Sequence, residues 1–567
     1  MRYSKRYIVF TLLLVVVLFF TFYNGKQSHA AVEQFRGATL DANDWDPMIA
    51  QSVNEKTLIA AIDNKVFTNK DGSIYMDNNR NIMIATDVLR DSFNCSVHLY
   101  DSTRLLVEKY ADELTVSFND PVAMFNNQQV NILSPMTFNG GRNYVPMQVV
   151  AEKLGYTYSW DIDENEVTVA NTSGETNILP AAYDLRKKGR APAVKNQGSR
   201  GTCWAFSALT ALESTLLPEE SQTFSTDHMS LQNSFSTLGD EGGQYTMSMA
   251  YLMSWQGPVP ESEDPYDGVA VKGLSAVKHV QEAQIIESKN LTKIKEAVFK
   301  YGGVQTAIYS TLRNANSQSS FYNSVTNSYC YLGQEKPNHD VVIIGWDDNY
   351  SKDNFPVGLE GNGAFICQNS WGSNFGDNGV FYISYYDTNI GVHNVVYTDI
   401  ENVNNYDHIY QSDLCGWVGQ LGYNKDSAFG ANVYTAGSNE TVDAAGFYAT
   451  GKNTEYEVYV VPKFTGPDSL SSGQRVANGR FENAGYYTIR FPNGVEVAKG
   501  DKFAVVIKIL TPDSIHPLAI EYAADESTKG VDLTDGEGYI SPQGSNWEHV
   551  EESQKCNLCI KAYTKER

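Results

Sequence analysis

Cysteine is scarce in this sequence of 567 residues, which contains only seven. They are scattered along the chain at positions 95, 203, 330, 367, 415, 556 and 559. A protein of this length held together by disulfides needs more cysteines at closer spacing. The fold must therefore be stabilised by apolar cores. Because the count is odd, at least one thiol has no partner within the chain, and Cys203 is the candidate.

Basic residues are also in deficit, because 43 lysines and arginines face 67 aspartates and glutamates, a formal net charge of -24. Such an acidic surface repels nucleic acids and anionic membranes, which excludes a nucleic-acid partner. Tandem repeats and long low-complexity tracts are absent. With 42% hydrophobic and 12% aromatic residues the chain has the composition of folded globular protein, and its length predicts about three or four domains.

The longest apolar run lies at the N-terminus, where Ile8 to Phe22 contains no charged residue. Basic residues precede this run and the small residue Ala30 follows it, which predicts a secretory signal peptide over residues 1–30. The alternative is an uncleaved membrane anchor, although the run is shorter than the roughly twenty residues of a typical span. Both interpretations place the rest of the chain outside the cytoplasm.

Residues 31–56 have weak periodicity and predict a lead-in or pro-segment, whereas residues 57–171 alternate short apolar segments with turns. Within the latter, Tyr144 to Gly155 predicts a short amphipathic helix with a glycine stop. The whole stretch, including Gly155-Tyr-Thr-Tyr-Ser-Trp160, resembles the copper amine oxidase N-terminal-like domain. Copper is not implied, because His98 is the only histidine of the region and a copper site normally needs several imidazoles. The resemblance implies a binding or inhibitory module, and a structural spacer is the alternative.

The chemistry is expected in the segment from 178 to 398. A glycine-rich loop starting at Val194 leads into a helical pattern at Cys203. The unpaired amides and the dipole of a helix N-terminus favour a thiolate there. Gln197, on the same loop, is placed to donate its amide to the oxygen that becomes negative when a thiolate attacks a carbonyl. A buried structural cysteine is the alternative interpretation.

A thiol nucleophile requires a base, and His339 is the candidate. It immediately precedes the apolar run Val341 to Trp346, the pattern of a buried strand that holds a side chain rigidly. Further on, Asn369 supplies an amide to orient the imidazole, and Trp371 supplies an indole to shield their hydrogen bond. A lone histidine is usually structural, but a thiol, an imidazole and an amide in this order indicate nucleophilic catalysis.

Together these segments resemble the papain family of cysteine peptidases. His339 is the only histidine in the window about 130–150 residues after the nucleophile in which that family carries its base. The resemblance implies that Cys203 is the nucleophile, His339 the general base and acid, Asn369 the orienting residue and Gln197 an oxyanion donor. It also implies a resting thiolate paired with a protonated imidazole.

Four residues form the predicted substrate-binding set. Gly242 and Gly243 resemble the glycine pair along which family members bind the substrate backbone, with a plain turn as the alternative. Trp371 and Asp340 complete the set. Asp340 follows the candidate base where the family commonly has alanine, so it is expected to favour a basic side chain in the second subsite or to stabilise a charged histidine. A solvated loop acid is the alternative.

Two further departures from the family concern a disulfide and the propeptide. Arg200 and Asp240 stand at the positions of a cysteine pair, and we hypothesise an ion pair there in place of the bridge. The helical inhibitory propeptide is missing. The N-terminal part is therefore predicted to occlude the cleft until it is cut, with residues 177–181 as the processing region.

From 402 to 567 short β-like runs return, such as Lys502 to Leu510, and predict a β-sandwich. Segments such as Tyr406 to Asp413 resemble the lectin-like domain that follows papain-type domains in secreted proteases of Gram-positive bacteria. Tyrosines and acidic loops suit a glycan or a structural calcium ion, and a sandwich without a ligand is the alternative. Cys556 and Cys559 are interpreted as core or disulfide cysteines, because no second ligand pair accompanies them.

The predicted fold class is α+β: a papain-like two-lobed peptidase domain (178–398) between a small α+β N-terminal domain (57–171) and a C-terminal β-sandwich (402–567). The predicted function is a secreted or cell-surface cysteine endopeptidase of a Gram-positive bacterium that processes surface or extracellular proteins and requires no cofactor. Its predicted partners are protein substrates and, through the flanking domains, a cell-wall polymer or glycan. The alternative is a surface adhesin or wall-binding protein whose peptidase domain is catalytically silent.

Overall fold

The structure is a computed structural model that describes residues 57–171 and 179–567, apart from residues 64, 101–102, 111, 133, 140–141, 163 and 238. The predicted signal peptide and lead-in segment lie outside the described residues. The chain divides into two compact units, Met1–Pro180 and Ala181–Arg567. In the part of the chain that is described, no helix is long and apolar enough to cross a membrane.

The N-terminal unit consists mainly of short strands. Its strands are β1 (Ile59–Ile62), β2 (Lys65–Thr68), β3 (Ile74–Met76), β4 (Ile82–Ala85), β5 (Ser96–Tyr100), β6 (Arg104–Lys109), β7 (Asp112–Ser117), β8 (Val122–Phe125), β9 (Gln128–Asn131), β10 (Thr137–Asn139), β11 (Arg142–Pro146), β12 (Tyr156–Asp161) and β13 (Glu166–Asn171). Its described helices are α1 (Thr86–Ser92) and α2 (Met147–Lys153). The strands form two four-stranded sheets, β12-β13-β1-β2 and β10-β11-β4-β3, and a five-stranded sheet of β5 to β9.

Local sequence explains the elements of this unit. In β7 the buried Leu114 and Val116 alternate with half-buried residues, the two-residue period of a strand with one face on the core. The predicted helix begins only at Met147, because Pro146 still has extended backbone and ends β11. Gly155, with a φ of 80°, follows the helix as predicted.

The segment from 181 to 402 combines helices with a mainly antiparallel sheet, in which β18 and β21 are parallel. Its strands are β14 (Ala182–Asp184), β15 (Lys278–Ile285), β16 (Val304–Ile308), β17 (Tyr322–Asn323), β18 (Ser328–Tyr329), β19 (His339–Asp347), β20 (Ala364–Gln368), β21 (Val380–Ser384) and β22 (Asn394–Asn402). Its α-helices are α3 (Cys203–Leu216), α4 (Thr226–Leu231), α5 (Tyr245–Met253) and α6 (Leu291–Lys300). Strand β22 passes the predicted domain end at 398, because its pairing with β15 continues to Asn402.

Helix α3 and strand β19 form the centre of this segment. Buried residues cover almost every position of α3 from Trp204 to Leu216, so the helix has no polar face and must lie inside the domain. It packs against β19, whose run Val341 to Trp346 is buried throughout. The predicted strand is confirmed, and it starts at His339 itself.

The C-terminal domain is the predicted β-sandwich. Its strands are β23 (His408–Tyr410), β24 (Gly419–Leu421), β25 (Ser427–Thr435), β26 (Glu440–Ala449), β27 (Thr454–Val461), β28 (Gln474–Phe481), β29 (Ala484–Val497), β30 (Lys502–Leu510), β31 (Leu518–Glu521), β32 (Gly538–Ser541), β33 (Glu548–His549), β34 (Asn557–Leu558) and β35 (Ile560–Glu566), with one short helix, α7 (Val550–Ser553). A six-stranded sheet, β28-β27-β30-β25-β32-β33, packs on β26, β29 and β35. Phe447 and Ile560 from one layer meet Val458 and Val505 from the other in this core.

A single sheet connects the C-terminal domain to the preceding segment. Its order is β17-β18-β21-β20-β19-β16-β22-β15-β29-β26-β35-β23, with β14 beside β19. The junction is antiparallel pairing of β15 with β29, from Glu282 opposite Tyr487 to Ile285 opposite Ala484. A continuous sheet permits little hinge motion, so these two parts behave as one body.

Candidate active site

The candidate nucleophile stands where a loop becomes a buried helix. Cys203 is the first residue of α3 and is half-buried, whereas the next residue, Trp204, is 1% exposed. Burial raises the pKa of the Cys203 thiol, and hydrogen bonds from the backbone N–H groups of Asp340, Trp204 and Cys203 offset part of that rise. The helix N-terminus therefore acts in the predicted direction.

Gln197 is fixed by two hydrogen bonds of its side chain. Its Nε2 donates to the carbonyl of Arg200 at 2.8 Å, and its Oε1 accepts from the hydroxyl of Ser370 at 2.6 Å. A primary amide has two N–H groups, so one remains for a second acceptor. The backbone also joins the loop to the segment that follows β20, since Gln197 N–H donates to the Ser370 carbonyl at 2.8 Å.

His339, Asn369 and Trp371 are brought together. The Nε2 of His339 lies 2.8 Å from Oδ1 of Asn369, which immediately follows β20. The indole of Trp371 stacks on the imidazole with ring centroids 4.8 Å apart and planes 26° apart. Because Asn369 uses Nε2, Nδ1 is the nitrogen left for proton exchange with a thiol.

The expected resting ion pair meets an opposing effect. Burial raises the pKa of the Cys203 thiol to about 12, and the charge of Asp340 adds to this rise. Burial also lowers the pKa of His339 to about 4, although the hydrogen bond that Nε2 donates to Oδ1 of Asn369 opposes this fall. Burial thus opposes the charge of each group taken by itself. In the predicted ion pair each charge would be the counter-ion of the other.

Asp340 is a half-buried acid beside the sulfur rather than a solvated loop residue. Its carboxylate accepts a hydrogen bond from Nε2 of Gln305 at 2.9 Å. The same Nε2 donates to the Trp204 carbonyl at 3.2 Å, which links the acid to α3. Burial raises the pKa of Asp340 to about 6 against the lowering effect of Gln305. The site thus contains an acid that changes charge within the working pH range of most enzymes.

The two glycines differ in their surroundings. Gly242 has a φ of 83°, and no described heavy atom lies within 4 Å of the position of a Cβ there. At Gly243 a Cβ would lie 2.5 Å from the indole of Trp204. Gly243 is therefore required for packing behind the nucleophile, and binding of a substrate backbone by the pair stays a prediction.

Arg200 forms an ion pair with Asp227, whose side chain is fully buried, at 3.1 Å between Nη1 and Oδ1. Its guanidinium also lies 4.9 Å from the ring centroid of Tyr266. The side chain of Asp240 lies outside the described residues, so the Arg200–Asp240 pair stays a prediction.

Sequence reasoning missed two residues of the site, Ser370 and Gln305. Ser370 is next to Asn369, and its hydroxyl fixes Gln197 across the site. Gln305 and Thr306 are the polar residues of the fully buried strand β16, and Gln305 is 1% exposed. A buried glutamine requires partners, and that requirement was the signal available in the sequence.

Comparison with known proteins identifies the family. A family model, papain family cysteine protease, matches residues 179–400. Cysteine proteinase 1 of Zea mays is 30% identical over 283 residues, which cover 47% of this chain and 70% of that protein. The chain belongs to the papain family of cysteine proteases. Pro-cathepsin H of Mus musculus is 29% identical over 284 residues, covering 47% of this chain and 80% of that protein. The protein is accordingly a cysteine endopeptidase.

Solved structures extend the likeness beyond the peptidase domain. The clostridial cysteine protease Cwp84, after propeptide cleavage, gives a TM-score of 0.60 at 26% identity and covers 68% of this chain and 99% of its own. A crystal structure of the cysteine protease and lectin-like domains of Cwp84, a surface layer associated protein of Clostridium difficile, gives 0.59 at 25% identity, with 69% and 90% covered. The fold is α+β, a papain-like cysteine protease fold with a C-terminal lectin-like domain.

Family models also match both flanking regions. A lectin-like domain matches residues 409–564, and a copper amine oxidase N-terminal domain matches residues 61–169. Across the described residues, no group of three or more His, Cys, Asp or Glu side chains is arranged to hold a metal ion. Cys556 and Cys559 are buried free thiols in the core of the lectin-like domain.

Proposed function

We propose that this peptidase uses Cys203 as nucleophile, His339 as general base and acid, Asn369 as orienting residue and Gln197 as oxyanion donor. The observation that carries the proposal is the Asn369–His339 hydrogen bond at 2.8 Å, which fixes the ring and leaves Nδ1 for the thiol. Trp371 stacks on the ring and keeps water from this hydrogen bond.

The reaction begins when Nδ1 of His339 accepts the proton of Cys203 as the sulfur attacks the peptide carbonyl. The oxyanion accepts hydrogen bonds from the free N–H of Gln197 and the backbone N–H of Cys203. Collapse breaks the C–N bond, and His339 gives its proton to the leaving amine. Water then attacks the thioester with His339 as base, which releases the acid product and restores the thiol.

Asp340 is proposed to select a basic side chain in the second subsite. The Asp340 carboxylate lies beside the sulfur. Its side-chain hydrogen-bond partner among the described residues, Gln305, is uncharged and does not neutralise the carboxylate. A lysine or arginine of the substrate supplies the missing counter-charge once Asp340 is ionised.

The proposed substrates are surface or extracellular proteins. Three observations support this: the predicted signal peptide, the acidic surface, and the similarity to Cwp84, which is described as surface layer associated. Latency is part of the same proposal, because the similar Cwp84 structure is one obtained after propeptide cleavage. A glycan or cell-wall polymer is the proposed ligand of the lectin-like domain.

A structural calcium ion in the lectin-like domain is also proposed. Three buried oxygens find no hydrogen-bond partner among the described residues: Oγ of Ser412, Oδ2 of Asp413 and Oδ1 of Asn557. Asn557 also donates to Glu521, whose pKa burial raises to about 7. Oxygen donors are what calcium prefers. Lys561 already pairs with Asp413 at 2.7 Å, so the ion would offset only the charge that Glu521 adds above pH 7. Calcium should raise the unfolding temperature more at pH 8 than at pH 6, and Asn557→Ala should lose the response. A midpoint that calcium does not change would contradict the site.

The catalytic roles are tested by peptide hydrolysis with single variants. Cys203→Ala should abolish turnover, and His339→Ala should lower kcat by about 10²–10⁴-fold, the usual contribution of a positioned general base. If Cys203→Ala hydrolysed the peptide as fast as the wild type, Cys203 would not be the nucleophile.

A further inference from the structure

One segment of the peptidase domain connects the lectin-like domain to the cleft. It runs from Gln232, after α4, to Gln244, before α5, is described apart from residue 238, and includes the Gly242–Gly243 pair. Gly243 is pressed against Trp204, the neighbour of the nucleophile. The position of this segment therefore decides where the glycine pair lies relative to the sulfur.

The other side of the segment is held by the lectin-like domain. Ser236 N–H donates to the carbonyl of Ser527 at 2.7 Å, and Gly530 N–H donates to the hydroxyl of Ser236 at 3.2 Å. The carbonyl of Ser234, two residues before Ser236, accepts a hydrogen bond from the thiol of Cys415 at 3.4 Å. These contacts come from two separate loops of the lectin-like domain.

The loop that carries Ser527 is braced internally. Asp525 accepts hydrogen bonds from the N–H of Ser527 at 2.9 Å, from its hydroxyl at 2.6 Å and from the N–H of Thr528 at 3.2 Å. Thr528 is buried and accepts in turn from the N–H of Ala524 at 2.9 Å. Because these hydrogen bonds restrict the motion of the loop, its contacts with Ser236 also restrict the motion of Ser236.

We propose that the lectin-like domain is a positioning element of the peptidase cleft: its Asp525–Gly530 loop clamps Ser236 and so holds the segment that carries Gly242–Gly243. Ser236 and Asp525 are positioning residues, because they act through the glycine pair and touch neither thiol nor substrate. The inference rests on the proposed function, in which this pair binds the substrate backbone.

The clamp predicts an effect on substrate binding and none on the chemistry. Ser236→Ala and Asp525→Ala, made in the full-length chain and activated in the same way, should each raise KM for an extended peptide by about two- to ten-fold, the worth of one hydrogen bond. Both should leave kcat and the rate of alkylation of Cys203 by iodoacetamide unchanged. The double variant should raise KM no more than the stronger single variant, because both changes loosen one contact.

Asp532→Ala is the matched control, since Asp532 braces an exposed turn of the same domain by accepting from Thr534. It should leave KM unchanged. Unchanged KM in both clamp variants, or parallel losses in kcat and alkylation, would overturn the clamp while leaving the catalytic roles intact. A wild-type enzyme that neither reacts with iodoacetamide nor cleaves peptide would overturn the proposed function, and the inference with it.

Discussion

Ser370 joins the two halves of the proposed catalytic machinery through a single hydroxyl. It donates to Oε1 of Gln197 and follows Asn369, which accepts a hydrogen bond from His339. One residue thus aligns the proposed oxyanion donor with the proposed base, although the sequence shows it only as a serine between two recognisable neighbours.

Ser370→Ala should therefore lower kcat without a matching change in KM. Losing one hydrogen bond should reduce kcat by about two- to ten-fold, whereas Gln197→Ala should reduce it by about 10²–10³-fold, the cost of an oxyanion donor. Steady-state kinetics on one peptide measures both, with Ser471→Ala, whose hydroxyl donates within the lectin-like domain at 2.8 Å, as the control. A kcat for Ser370→Ala equal to that of the control would show that Gln197 is aligned without the hydroxyl.

Asp340 should give the enzyme a substrate-dependent pH profile. With a pKa raised to about 6, the acid is neutral below pH 6 and negative above it. The ratio of kcat/KM for a peptide with lysine in the second subsite to that for one with leucine should rise as the pH passes through about 6. Titration of Cys203 and His339 affects both peptides and cancels in the ratio.

Asp340→Asn should remove this rise and reduce the ratio. If the variant keeps both the preference for lysine and its pH dependence, another acid selects the substrate.

At the level of elements, the loop-to-helix junction and β19 were the most predictable parts. The apolar run Val341 to Trp346 and the helical spacing after Cys203 determine them locally. The position of Gln305 beside Asp340 was not predictable, because it depends on the register of β16 against β19, which pairs Ala307 with Asp340. The pKa of the Cys203 thiol was not predictable either, because burial raises it, backbone N–H groups lower it, and both effects depend on the three-dimensional structure.

Packing between Gly243 and Trp204 should make the cleft sensitive to a single methyl group. Gly243→Ala should destabilise the protein by about 1–3 kcal/mol, as overpacking does, and should slow alkylation of Cys203 because the indole must move. Gly358→Ala is the control, since no described heavy atom lies within 4 Å of a Cβ there and its φ lies outside the left-handed region. Thermal unfolding and iodoacetamide kinetics measure both effects, and equal behaviour of the two variants would refute the packing role.

At the scale of the molecule, the sequence indicated three domains but not their connection. The β15–β29 pairing that merges the peptidase and lectin-like domains depends on residues far apart in the chain, and no local pattern announces it. At the junction, Gly485 has a φ of 148°, and a Cβ there would collide with the carbonyl of Ala283. A side chain at this position cannot coexist with the pairing.

Gly485→Ala should therefore separate the unfolding of the two domains. We expect one calorimetric transition for the wild-type peptidase and lectin-like domains, and a lower or divided transition for the variant. Gly466→Ala is the control, because Gly466 has a similar φ of 137° without any described atom within 4 Å of a Cβ. If both variants unfold alike, backbone strain rather than the shared sheet explains the change.

The most direct test of the account is labelling of the purified protein by an epoxide that reacts only with activated papain-type thiols. The labelled residue is located by mass spectrometry, with and without residues 31–177 and with Cys203→Ala as control. We expect a label on Cys203 alone, absent from the control and from His339→Ala, and stronger once the N-terminal part is removed. Folded protein that takes no label in either form would contradict the peptidase assignment and favour a surface-binding protein with a silent peptidase domain.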